Sequence, residues 1–155
     1  MSYGLCPVAS CFPSTRRRPP SRQLTEVILV VDQHPWVVQA LNKISELETL
    51  PANWDGSGSP GLQVTAVSVA RRILTTIDSD DLPSPHVCPM SGGGLGFHWQ
   101  TSTKELELSV LPDGSVEYLK VLEPDSVRND ATEYGTVPEN IANRVELLLN
   151  WLTLP

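Results

Sequence analysis

Near residue 85 the spacing of apolar residues changes from a helical period to strict alternation, and this change limits the chain to a mixed architecture. Before it, Val37, Ala40, Leu41, Ile44 and Leu47 recur at three- and four-residue intervals, as do Ala66, Val67, Ala70, Ile73, Leu74 and Ile77. Each set forms one stripe along a helix. After it, Leu95, Phe97 and Trp99 alternate with small or polar residues, and so do Leu106, Leu108 and Val110. Alternation places each set on one face of a strand. Helices are therefore predicted over about 36–49 and 61–78, and strands near 86–90, 94–100, 104–111 and 115–122.

The strand pattern also predicts the pairing. Slipping one strand by a single residue would turn its whole apolar set to the other face, so a buried face fixes register. The register that aligns both sets pairs Trp99 with Leu106, Phe97 with Leu108 and Leu95 with Val110. Pro112-Asp113-Gly114 is a turn signal, with proline presetting φ and Gly114 free to take positive φ. A three-residue loop there pairs Val110 with Val116 and Leu108 with Tyr118. Residues 123–136 are polar and read as loop. Thr136-Val137-Pro138-Glu139 fits a capping box that opens a last helix over about 138–152, with Ile141, Val145, Leu148, Leu149 and Leu152 facing inward. The expected fold is α+β: a four-stranded antiparallel meander with about three helices on one face, in a single two-layer domain.

That domain is expected to span residues 24–155, beginning with a buried strand at 24–33 around Val27-Ile28-Leu29-Val30-Val31. Residues 1–23 hold four arginines, four prolines and no acidic residue, and read as a disordered basic tail. The other residues carry 7 basic against 18 acidic side chains, and the whole chain of 155 residues has net charge −7. This balance argues against a nucleic-acid partner and suits a basic protein partner. No apolar run is long enough to span a membrane. The opening segment has its arginines after its apolar residues, the wrong order for a secretory signal, so a cytoplasmic protein is expected. Cys6, Cys11 and Cys88 are too few and too irregularly spaced for a disulfide framework.

Two groups of residues are candidate sites. The first is the run Asn53-Trp54-Asp55-Gly56-Ser57-Gly58-Ser59-Pro60 between the two helices. Asn53 and Asp55 can close turns through their side chains, the glycines can take positive φ, and Ser59 can cap a helix whose first residue is Pro60. Alternatively the run is a binding surface formed by Asn53, Trp54, Asp55 and Gly56, with Trp54 as its aromatic anchor. The second group follows from the register. His98 lies opposite Glu107 on the outer sheet face, and symmetric pairing around Gly92 puts His86 beside His98. A row of two histidines and a carboxylate is a ligand set for zinc or iron, whereas ordinary polar pairing on an exposed sheet face is the simpler reading. Ser91-Gly92-Gly93-Gly94 has no lysine and precedes a strand, so it reads as a hairpin turn and not as a phosphate loop.

Leu50-Pro51-Ala52-Asn53-Trp54-Asp55-Gly56-Ser57-Gly58, together with Leu82-Pro83-Ser84-Pro85, Gly92–Trp99 and Leu111-Pro112-Asp113-Gly114, resembles a group of small bacterial proteins with a Leu-Pro-x-Asn-Trp-Asp-Gly-x-Gly loop and no assigned activity. The likeness covers roughly residues 26–152. Phe97-His98-Trp99 departs from that group's usual acidic residue before the tryptophan. The resemblance implies an architecture and brings no catalytic residues or cofactor. The sequence therefore points to a non-enzymatic protein-interaction module, such as an antitoxin, an immunity-type protein or a regulatory partner. The alternative is a metal-binding protein or small enzyme using His86, His98 and Glu107.

Overall fold

The computed structural model describes residues 33–123, 132–138 and 141–155. They form three helices and one open antiparallel sheet: α1 (Pro35–Leu47), α2 (Val64–Thr76), β1 (His86–Met90), β2 (Gly94–Gln100), β3 (Lys104–Val110), β4 (Val116–Leu122), β5 (Thr132–Val137) and α3 (Ile141–Thr153). The strands pair in sequence order as an antiparallel meander.

All the predicted registers are present. Trp99 pairs with Leu106, Phe97 with Leu108 and Leu95 with Val110. Val110 pairs with Val116 and Leu108 with Tyr118, while Leu111 and Ser115 close the three-residue Pro112-Asp113-Gly114 loop. These inward residues are buried in one apolar cluster with Val37, Ala40 and Ile44 of α1, Ala66, Ala70 and Leu74 of α2, and Val145, Leu148, Leu149 and Leu152 of α3. The inner sheet face and the three helical stripes thus remove their apolar surface from water together.

Among the described residues the sheet has five strands, not four. Thr132–Val137, expected to be loop, pairs with β4 from Val116↔Val137 to Val121↔Thr132. Its residues are mostly exposed, so no apolar alternation marks it. Thr, Tyr and Val were the remaining strand signal there. The expected capping box fails for the same reason: Thr136 is a ladder partner of Glu117 and α3 begins at Ile141. Glu139 lies outside the described residues, as do residues 24–32 of the strand predicted at 24–33, the tail 1–23, Cys6 and Cys11, and Gln33 is not in a strand.

Several polar contacts tie the helices down. Pro35 occupies the first turn of α1, where its missing N–H costs nothing. His34, just before it, places Nε2 3.2 Å from Asp78 Oδ1 and Nδ1 against Asp80. Asp78, and after it Asp80, raises the His34 pKa, so this tie strengthens as the ring takes up a proton. Arg71 of α2 donates to Ser45 Oγ at 2.9 Å and to Glu48 Oε2 at 2.6 Å, joining α1 to α2. The buried Lys104 of β3 donates its ammonium to the Trp151 carbonyl at 2.9 Å and to that of Leu154. A cation at the carbonyl end of α3 satisfies acceptors that the helix leaves free and opposes its dipole.

Candidate functional site

The Asn53–Pro60 run is a closed hydrogen-bonded loop. Asn53 takes positive φ (64°), its N–H donates to the Ser59 carbonyl at 2.7 Å, and its Oδ1 accepts from the Gly58 N–H at 2.7 Å. The Gly56 N–H donates to the Asn53 carbonyl, with Gly56 itself at φ 73°. Asp55 sits at the centre. Its Oδ1 accepts from the Ser57 and Ser59 N–H groups at 2.9 and 3.2 Å. Its Oδ2 accepts from Ser59 Oγ at 2.6 Å and from Ser91 Oγ at 3.3 Å. The Ser59 hydroxyl first, and the Ser57 N–H next, lower the Asp55 pKa to about 2. A carboxylate held by four donors is a weak base, and it is committed to the loop.

Ser59 does not cap a helix, as its sequence position suggested. The α2 helix begins at Val64, and the Ser59 hydroxyl instead donates to Asp55 and accepts from the Gly92 N–H at 3.3 Å. Pro60 likewise lies outside the helix, and its carbonyl accepts the Trp54 indole N–H at 3.2 Å. Trp54 is half-buried. Together with the bond from the Gln63 N–H to the Gly93 carbonyl at 2.9 Å, these contacts fasten the connection between α1 and α2 to the β1–β2 turn.

This geometry predicts an acid-side signature. A carboxylate whose folded pKa is depressed contributes stability above its unfolded pKa, and the contribution is lost as pH falls through the folded value. The difference in urea stability between the native protein and Asp55→Asn should therefore be constant above about pH 5 and shrink between about pH 4 and pH 2. A difference independent of pH over that range would contradict the four-donor arrangement.

The second group is partly assembled. The register aligns His86 with His98 and His98 with Glu107 on the face away from the helices. Their side chains do not converge, however. His98 Nε2 lies 3.8 Å from Glu105 Oε2, and Glu107 Oε1 accepts from Ser109 Oγ at 3.3 Å. Among the described residues no three His, Cys, Asp or Glu side chains are grouped so as to hold a metal ion. Cys88 shares this face half-buried, and burial, with the Glu107 charge, raises its thiol pKa. It is held as a neutral thiol, the poorer nucleophile.

The more informative feature of this face is its composition. Its row through His98 and Glu107 continues across β4 and β5 as Leu119 and Tyr134. The flanking rows add Glu105 and Val121, and Ser109, Glu117 and Thr136. None of the strand residues on this face is lysine or arginine. A cleft of about 340 Å³ opens at the β4–β5 end, lined by Ser109, Glu117, Leu119, Tyr134 and Thr136 with Tyr118 and Gly135. Tyr134 is 84% exposed. Glu117 has no hydrogen-bond or ion-pair partner among the described residues. Sequence reasoning placed His98 and Glu107 on this face but missed the cleft, because one of its walls belongs to β5.

No helix among the described residues is long and apolar enough to cross a membrane. Comparison of the chain with protein-family models, with curated proteins and with solved structures finds no match.

Proposed function

We propose that the chain is a non-enzymatic interaction module that binds a basic protein through the outer face of its sheet. In this reading residues 24–155 act as one two-layer domain of a bacterial, cytoplasmic protein of the antitoxin, immunity or regulatory kind. The observation that carries it is the outer face itself. Leu119, Val121 and Tyr134 form an apolar strip beside Glu105, Glu107 and Glu117, with no cation in the strands of that face. An apolar centre with carboxylates of one sign around it favours a partner of opposite charge, which gains steering and register from them. The Asn53–Gly56 loop is the weaker surface, since Asn53 and Asp55 spend their side chains on the loop itself.

Affinity capture from the source cells tests this, comparing the native chain with a Glu105→Lys, Glu107→Lys, Glu117→Lys variant of unchanged circular dichroism. The native chain should enrich a protein of high isoelectric point that the variant does not retain and that elutes with salt. Identical captured sets for the two would count against the proposal.

A further inference from the structure

We infer that the β5 edge accepts an extended basic segment of the partner as a sixth strand, with a lysine or arginine reaching over Thr136 to Glu117. This rests on the outer-face reading and names how the partner is held. The two ends of the sheet differ. The β1 edge is five residues long and contains Pro89, which has no N–H to offer an added strand. The β5 edge is six residues long, Thr132-Glu133-Tyr134-Gly135-Thr136-Val137, with neither proline nor lysine, the usual blunting devices. Among the described residues nothing pairs with its far side.

This edge is also held rigidly from below. Tyr118 lies beneath Gly135, where an added Cβ would fall 2.9 Å from its ring. The Tyr118 hydroxyl donates to Glu133 at 2.8 Å and accepts from Arg144 of α3 at 3.2 Å, and Lys120 donates to Glu133 at 3.0 Å. A preorganised edge loses little freedom when a strand is added.

Charge decides the occupant. Outside residues 1–23 a second copy carries 7 basic against 18 acidic side chains, so its body would bring like charge against Glu117. A basic strand would answer the charge instead. Strands lie about 4.8 Å apart, so a side chain opposite Thr136 must cross roughly two spacings to meet Glu117, a span that suits lysine or arginine. The exposed Tyr134 ring beside the cleft offers such a cation a π face on the way.

Two seven-residue probe peptides test this against the full chain by fluorescence anisotropy. Both are alternating Lys and Val with four lysines and three valines, and one is N-methylated at its third and fifth residues. These are lysines whose N–H groups face β5 in an antiparallel added strand, because the Leu111–Ser115 pair leaves the Thr136 N–H and carbonyl pointing outward. The unmethylated peptide should bind at least about tenfold more tightly, since N-methylation removes two ladder donors without changing charge. Its binding should weaken severalfold in Glu117→Gln and should slow amide exchange across Thr132–Val137. Equal binding of the two peptides would overturn the edge inference, while leaving an acidic face that attracts cations. Binding by neither peptide would also overturn it, and the capture comparison would then judge the outer-face proposal separately.

Discussion

Trp99→Ala should destabilise the protein by about 3–5 kcal/mol, the range for emptying a buried aromatic site. Trp99 is fully buried at the centre of the sheet's inner face, packed 5.8 Å centroid to centroid from Phe97 and paired with Leu106. Trp99→Phe separates packing from polarity. The indole N–H of Trp99 is buried with no hydrogen-bond partner among the described residues. An unsatisfied buried donor costs about 1–3 kcal/mol, so phenylalanine recovers that penalty while leaving a smaller void. The expected net cost of Trp99→Phe is under about 2 kcal/mol. Urea denaturation of both variants measures this. Equal losses would mean that the indole N–H is satisfied in solution.

The second large effect belongs to the junction between the Asn53 loop and the sheet. Gly93 has φ 94°, and a Cβ there would lie 2.8 Å from Gln63 Cγ and 2.9 Å from the Gly61 carbonyl oxygen. Its neighbour Gly92 has φ 85° but only Pro112 Cγ at 4.0 Å. Gly92→Ala should therefore cost only the backbone strain, about 1–3 kcal/mol. Gly93→Ala should cost more, because its clash is with backbone that is itself held by the bond from Gln63 to Gly93. Chemical denaturation of the pair gives the difference directly. Equal costs would show that the connection between α1 and α2 yields freely at this point.

These two positions also show what the sequence could and could not reveal. Trp99 was legible because Leu95, Phe97 and Trp99 against Leu106, Leu108 and Val110 leave one register that buries both sets. That register set His98 opposite Glu107, and symmetric pairing around Gly92 set His86 beside His98; both alignments are present. Side-chain direction did not follow, since alignment across strands leaves each side chain free to bond along the face, as Glu107 does with Ser109. The β5 strand was illegible because an edge strand with most of its residues exposed carries no apolar alternation. Thr136 and Glu139 imitate a capping box, and only the long-range ladder to Glu117 shows that Thr136 belongs to a strand. In the Asn53–Pro60 run, residue types announced turns and positive φ, and both are present. The sequence did not show that Ser59 turns to Asp55 and Gly92 rather than to the start of α2. Lys104 was invisible for a similar reason: its burial depends on carbonyls some fifty residues away.

The same contrast sets the central claim. A tryptophan between asparagine and aspartate draws attention as a binding anchor, yet its loop spends its polar groups internally. Among the described residues, the outer sheet face keeps a carboxylate without a partner, Glu117, beside an exposed tyrosine and an unpaired strand edge. The most direct measurement is the dissociation constant of the captured basic protein for three folded chains: native, Trp54→Ala, and Glu105→Lys, Glu107→Lys, Glu117→Lys. The outer-face account predicts that Trp54→Ala stays within about twofold of native while the charge-reversed chain loses at least about a hundredfold, corresponding to about 2.8 kcal/mol across three like-charge contacts. Loss of binding in Trp54→Ala with retention in the charge-reversed chain would place the functional surface on the loop and contradict the account.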